Sequence, residues 1–306
     1  MMHSDNAPFI TFYSFKGGLG RSISSLSTAS ILSALGYRVL VIDFNLENPG
    51  ITYLLNRYIE KEKSPVGIID LLLQGITDPK QGDLFYLDPI DLATKYTHPY
   101  NIPGEFNQNK GTFYIMPTAH FKDGTYGQRL NDLNLQKLYK DGYGWRIFQA
   151  FKSILKDSKK FDYIIVDTNN GFSSEAGICT RDLADYLVIF TGLNYQNIEG
   201  TIRFLNALKL SEPSLRDILI VLSPKPSPVE DYIEDMDSLN TRWSKILKEF
   251  SNIWEKEIDQ TLHIPYFTQI DAEELNCDYS YIYNSYHNLA KLILTMTEKS
   301  KVKIEQ

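Results

Sequence analysis

The sequence predicts an α/β protein built on a doubly wound, mostly parallel sheet flanked by helices, and three observations lead there. A glycine-rich turn, KGGLGRS at residues 16–22, lies between a short apolar strand and a helix. Brief β-branched runs recur at residues 38–42, 163–166, 186–190 and 218–222, the first two followed at once by aspartate, as in buried parallel strands that present a polar residue at the carboxyl end. Helical stretches with a one-sided apolar stripe separate most of these runs, as crossover connections require.

The opening strand covers residues 10–13. After the turn, a helix runs from near Ser22 to Gly36; Ile23, Leu26, Ser30 and Ala34 share one stripe, Leu32 and Leu35 widen it, and Gly36 is a natural stop. The run at 38–42 ends at Asp43 and completes a first βαβ unit. Residues 51–80 read as largely helical around Leu71, Leu72 and Leu73. An irregular insertion is expected near 78–145: residues 78–109 are rich in proline, aromatic and polar residues without a sustained period, and 111–116 form a strand ended by Pro117. A helix at 145–155, with Ile147, Phe151, Ile154 and Leu155 on one side, leads to the strand that ends in Asp167. The strand at 186–190 precedes a helix at 197–210, striped by Ile198, Ile202, Leu205 and Leu208. Beyond the strand at 218–222, SPKPSPVED reads as a proline-rich loop. A long helical region then carries Leu239, Trp243, Leu247 and Phe250, residues 264–267 form a last strand, and Tyr286, Leu289, Ile293 and Met296 face one side of a final helix. No linker or internal repeat divides the chain, so residues 1–306 are expected to form a single domain.

Composition removes several function classes. Hydrophobic residues make up 43% of the chain, yet no stretch approaches the length of a membrane span, and the closing KSKVKIEQ follows no amphipathic segment that would serve as a membrane anchor. The amino-terminal MMHSDNAPFI has neither a basic segment nor an apolar run, which predicts a cytoplasmic protein. Two cysteines, Cys179 and Cys277, are too few for a disulfide framework or a cysteine metal site and are expected as buried thiols. A net charge of −7 argues against a broad nucleic-acid face; Lys209, Arg216 and Lys225 are the weak candidates for a basic DNA-contacting patch, which solvent exposure explains as well.

The turn at 16–22 carries the chemistry. Gly17, Gly18 and Gly20 let backbone amides, with those of Leu19, Arg21, Ser22 and Ile23, turn toward the phosphates of a nucleoside triphosphate, and the helix start adds its dipole. Ser22 stands where a triphosphate-binding loop places its magnesium-ligating hydroxyl, although it also suits a helix start. The loop departs from GxxxxGK[ST]: Phe15 replaces the first glycine, and Arg21 replaces the phosphate lysine. Arginine keeps the charge but brings a larger planar fork. Taken alone, Lys16 is an ordinary solvent-facing lysine.

These residues resemble the deviant Walker A family of ATPases that includes the MinD and ParA proteins. The resemblance runs in order along the chain through KGGLGRS, DFNLENPG from Asp43, FDYIIVD ending at Asp167, and IPYF from Ile264. It is nearest to a branch with a KGGVGR[ST] loop, matched here also by DYIIVDTNNG, GICT from Gly177 and QNIEG from Gln196. The resemblance implies a P-loop nucleotide-binding domain, ATP and magnesium as cofactors, and a lysine, mapped onto Lys16, that reaches a partner subunit's ATP in a nucleotide-dependent homodimer.

Asp167 and Asp43, at the ends of buried strands, are candidates for magnesium support with Ser22, or for contact with a switch loop; polar strand ends facing solvent are the alternative. Glu47 is a weaker candidate, and Thr168 and Asn169 are placed to respond to a γ-phosphate. On the base side, Ser223 stands where relatives often have asparagine, with Lys225 nearby. Asn45 occupies the second position of an Asp-x-Asp arrangement implicated in positioning the attacking water. It can bond that water but cannot take its proton, unless it only caps a turn. The expected function is a switch with slow or partner-stimulated hydrolysis, in which Lys16, Arg21, Asn45 and Asp167 act on the phosphates and an unidentified protein partner reads the state. A nonhydrolytic ATP sensor or adaptor is the alternative.

Overall fold

The computed structural model describes residues 7–53, 66–76, 88–100, 113–119, 124–211, 217–225, 236–256, 258, 262–265 and 280–304. Among the described residues, eight strands form one sheet: β1 (Phe9–Ser14), β2 (Val39–Phe44), β3 (His98–Tyr100), β4 (Phe113–Met116), β5 (Tyr163–Thr168), β6 (Tyr186–Thr191), β7 (Ile218–Lys225) and β8 (Leu262–Pro265). Their order is β3-β4-β2-β5-β1-β6-β7-β8, parallel throughout except for the antiparallel pairing of β3 with β4. The doubly wound, mostly parallel architecture expected from the sequence is present. The chain reverses its direction of travel across the sheet at β1, which leaves a crevice at the carboxyl ends of β1 and its neighbours.

Burial on both faces explains the apolar runs. β1, β2 and β5 are buried along their whole length, and alternation sends successive side chains into different layers. Ile10 and Phe12 of β1 join a cluster with Leu26, Ala29 and Leu32 of α1 (Arg21–Ala34) and Leu289 and Ile293 of the carboxyl-terminal helix. Phe9 points the other way, toward Ile147, Phe148 and Phe151 of the helix at Gly144–Asp157. Tyr13, on that same side, meets the helices at Tyr195–Ser211 and Met236–Trp254 through Phe204, Leu205, Trp243 and Phe250. Each fully buried large apolar side chain contributes about 1.5–3 kcal/mol, so a one-residue slip of a central strand would be strongly opposed.

The remaining helices are α2 (Ile68–Ile76), α3 (Pro89–Lys95), α4 (Tyr126–Asp132), α5 (Leu135–Lys140), α6 (Gly144–Asp157), α7 (Ser174–Gly177), α8 (Tyr195–Ser211), α9 (Met236–Trp254) and α10 (Ser280–Ile304); a π-helical turn covers Ile178–Leu183. The stretch expected to be an irregular insertion holds α3, β3, β4, α4 and α5. These helices are too short for a hydrophobic period to declare itself, and capping residues mark two of them instead: the Asp88 carboxylate accepts from the amides of Ile90 and Asp91, and the Asn134 side chain accepts from that of Lys137.

Two further expectations need correction. β7 does not stop at Leu222 but continues through Ser223, Pro224 and Lys225; its pairing with β8 shifts register between Leu222 and Lys225, and such a bulge tolerates a proline inside a strand. Asp43 and Asp167 lie one residue inside their strands rather than just beyond them. Among the described residues, no helix is long and apolar enough to cross a membrane. Cys179 is buried, as expected; Cys277, Arg216, Tyr266, Phe267 and most of the proline-rich segment after Lys225 lie outside the described residues.

Candidate functional site

The loop between β1 and α1 is held by two apolar pegs. Phe15 packs edge-on against Phe172 at 5.7 Å between ring centroids, and its ring lies so close to Gly200 of α8 that a Cβ there would stand 1.9 Å from Phe15 Cδ1. Leu19 is buried in the α1 side of the core. Between the pegs, Lys16, Gly17 and Gly18 face solvent. Gly18 and Gly20 take φ values of 78° and 71°, the left-handed region that glycine enters without strain, and a Cβ on Gly18 would meet nothing within 4 Å. Gly20 caps α1, and no capping side chain accepts from its first-turn amides. The first-turn amides are therefore left for an outside acceptor, and an anion satisfies both them and the helix dipole. The phosphates of a nucleotide fit this cradle.

Beneath it lies a buried ion pair. Arg21, 8% exposed, donates from Nε to Asp167 Oδ1 at 2.7 Å and from Nη1 to Ser14 Oγ at 3.1 Å. Ser22 Oγ donates to Asp167 Oδ2 at 2.5 Å. Both carboxylate oxygens of Asp167 thus bind the start of α1, and the guanidinium fork is held by protein groups. A hydroxyl bonded to a strand-end carboxylate beside a phosphate cradle is an oxygen donor set that suits magnesium, which would take its other ligands from phosphate and water. Among the described residues, no group of three His, Cys, Asp or Glu side chains could hold a metal unaided.

The loop after β2 forms the other wall. Asp43 and Asp167 are register partners in adjacent parallel strands, so their side chains share a face. Asp43 is fully buried; Oδ2 accepts from both the amide and the hydroxyl of Thr52 at 2.8 Å, and Oδ1 accepts from the Asn45 amide at 3.3 Å. Burial, reinforced by the charge of Asp167, pushes the Asp43 carboxyl up to about 7 against the bonds from Thr52 and Asn45. The Thr118 amide, just beyond β4, donates to Thr52 Oγ1 at 2.9 Å. Asn45 is buried, and its Oδ1 has no hydrogen-bond partner among the described residues, an arrangement that a water molecule would satisfy. Asn169 Nδ2 donates to Glu47 Oε2 at 3.4 Å, joining the loops after β2 and β5. The Asn170 side chain approaches Gly17, and the Gly171 amide donates to the Ser14 carbonyl at 3.3 Å.

Ser223 is buried in β7, its Oγ 3.7 Å from where a Cβ on Gly20 would stand, so it borders the cradle. Ile23 is half-buried on α1. Lys225 lies in β7, and Lys209, one of the candidate DNA contacts, is ion-paired with Glu255. Sequence reasoning missed Thr52, Thr118, Tyr126, Phe15 and Gly200 as site-building residues. For the last two a signal existed: an aromatic residue at the usual first-glycine position and a glycine inside an otherwise regular helix.

Three solved structures share this architecture. The chain is 16% identical to a Cyanothece McdA variant in complex with ATP, with a TM-score of 0.63 and coverage of 96% of this chain and 98% of that one. It is 19% identical to a candidate plasmid partition protein from Borrelia burgdorferi B31 bound to AMPPNP, with a TM-score of 0.61 and coverage of 95% and 99%. With the Aquifex aeolicus MinD cell division protein it shares 14% identity and a TM-score of 0.57, over 94% and 98% of the two chains. No protein-family model and no curated protein matches the chain. At these identities the likeness is one of fold, and the chain has the ParA/MinD type of P-loop ATPase fold.

Proposed function

We propose, from that fold, that this protein is a cytoplasmic, nucleotide-dependent switch that binds ATP with magnesium, closes as a dimer around it and hydrolyses it slowly or under the influence of a protein partner. The observation that carries the reading is the uncapped start of α1 behind the two left-handed glycines, with exposed Lys16 beside it. The amides of residues 17–23 and the Arg21 charge would bind the phosphates, while Ser22, with Asp167 behind it, would hold magnesium. When bound, magnesium neutralises charge on the phosphate oxygens. Asp43, whose oxygens accept from Thr52 and Asn45, would act through the shape of its loop and its field. Ser223 would border the nucleotide, with Lys225 farther along β7. Lys16, standing clear of its own chain's core, would reach the second subunit's triphosphate.

Slow chemistry follows from Asn45. Its Oδ1 can orient a water but has no basicity to take its proton, so electrostatic stabilisation by Lys16 and Arg21 would carry most of the rate. The same residue favours a second reading, a nonhydrolytic ATP sensor that changes partners on binding. One experiment separates the readings: Mg-ATP affinity, molecular mass with and without nucleotide, and single-turnover cleavage, in the native chain and in Asn45→Asp. The switch predicts tight binding, a nucleotide-dependent rise to two chains, and slow cleavage that Asn45→Asp accelerates about a hundredfold or more, the lower end of what a positioned general base contributes. Binding with no cleavage in either chain would leave the sensor; an unchanged mass would rule out closure around ATP.

A further inference from the structure

Helix α4 packs on the edge of the core through Tyr126 and Leu130, and polar contacts tie it further. None of its residues is fully buried, yet its first residue and its middle are tied. Tyr126 Oη donates to the Leu46 carbonyl at 2.6 Å, across 80 residues of sequence, and Arg129 is ion-paired with Asp70 of α2. Asp70 in turn accepts from the Gly67 amide at 2.8 Å, and the amides of Ile68 and Ile69 donate to the Pro117 and Thr118 carbonyls, each at 2.9 Å. Thr118 belongs to the network of Thr52 and Asp43. A continuous polar path therefore joins α4 to the loop after β2 from two directions. The Tyr126 ring packs at the edge of the core; its hydroxyl reaches beyond that to the Leu46 carbonyl, in the residue after Asn45, and to the Thr118 side chain. Burial pushes the phenol up to about 12, so it remains a donor throughout the physiological range.

We propose that Tyr126 is a positioning residue: its hydroxyl fixes the Leu46 peptide, and with it the Asn45 side chain, in the orientation that an attacking water needs, so that the insertion carrying α4 sets the cleavage rate from outside the phosphate cradle. This rests on the hydrolytic reading above. The alternative is that the bond only stabilises the fold.

The test is Tyr126→Phe in the full chain, which keeps the ring and removes the hydroxyl's bonds to the Leu46 carbonyl and the Thr118 side chain. Single-turnover cleavage is expected to fall about fivefold to tenfold, the worth of one hydrogen bond, while the dissociation constant for Mg-ATP stays within about twofold. In the nucleotide-free chain, amide exchange across residues 45–48 is expected to quicken by a similar factor, with exchange in α1 unchanged. A merely structural role would not give this split between rate and affinity. Unchanged exchange at residues 45–48, or quickened exchange with an unchanged cleavage rate, overturns the proposal. If the native chain cleaves no ATP, the hydrolytic reading fails and the rate-setting role with it, while the exchange data still decide whether the phenol holds the loop.

Discussion

The loops after β1 and β2 both face the carboxyl end of the sheet, but they are held by different means. The first is fixed by buried matter: the Phe15 ring against Gly200, Leu19 in the core, and the Arg21–Asp167 pair under the helix start. The second is fixed by hydrogen bonds from Thr52, Tyr126 and Asn169, several of them to groups that belong to no regular element. Packing is stiff and changes in large steps, whereas single hydrogen bonds are individually modest. A cradle that must meet several phosphate oxygens gains from the first kind of restraint. A loop that must let chemistry be adjusted gains from the second.

The largest expected effect breaks the first region. Arg21→Ala leaves the Asp167 carboxylate buried without its cation and should cost about 3–5 kcal/mol, measured by denaturant unfolding of the nucleotide-free chain. Arg21→Lys, which restores charge without the fork, should lose less; an Arg21→Ala chain as stable as the native one would show that the pair is not a structural foundation of the loop. Next in size is Gly200→Ala, where the new Cβ meets the Phe15 ring. A cost of about 1–3 kcal/mol is expected, with weakened Mg-ATP binding. Combining it with Phe15→Ala should reveal a coupling above about 0.5 kcal/mol; strictly additive losses would contradict the peg-and-socket account.

The last test sharpens the second region, and it depends on pH. The Asp43 carboxyl is raised from 3.8 to about 7 on folding, so between these values the folded chain holds a proton that the unfolded chain has released. Its contribution to stability is fully present below about pH 4 and is lost as pH rises through about 7. Asp43→Asn should remove this slope, leaving a melting-temperature curve that falls less between pH 4 and 7 than that of the native chain. Parallel curves would show that Asp43 titrates normally.

Legibility in the sequence divides along the same line. The buried parallel strands announced themselves as apolar runs because both of their faces are covered, and the cradle was readable because glycine spacing and a helix start are local in sequence. Even so, Phe15 and Gly200 looked like isolated departures, since nothing in the chain marks two residues so far apart as a single contact. The second loop was readable at Asp43, Asn45 and, more weakly, Glu47. Thr52, Thr118 and Tyr126 are common polar or aromatic residues whose roles arise when three separate segments converge, and α3 and α4 are too short to show a period. Pro224 misled because proline ordinarily ends a central strand, and the bulge that accommodates it leaves no mark in composition.

The two ends of the sheet bear on how copies of the chain meet. β3 has three residues with Pro99 at its centre, and β8 has four, closing on Pro265. An edge this short, carrying a residue with no amide hydrogen, is a poor template for strand addition. Chains crowded together at high concentration would therefore find little to zip up along their sheets. Growth into open-ended fibrils is discouraged, and whatever association occurs is left to side chains and loops, where it can be undone.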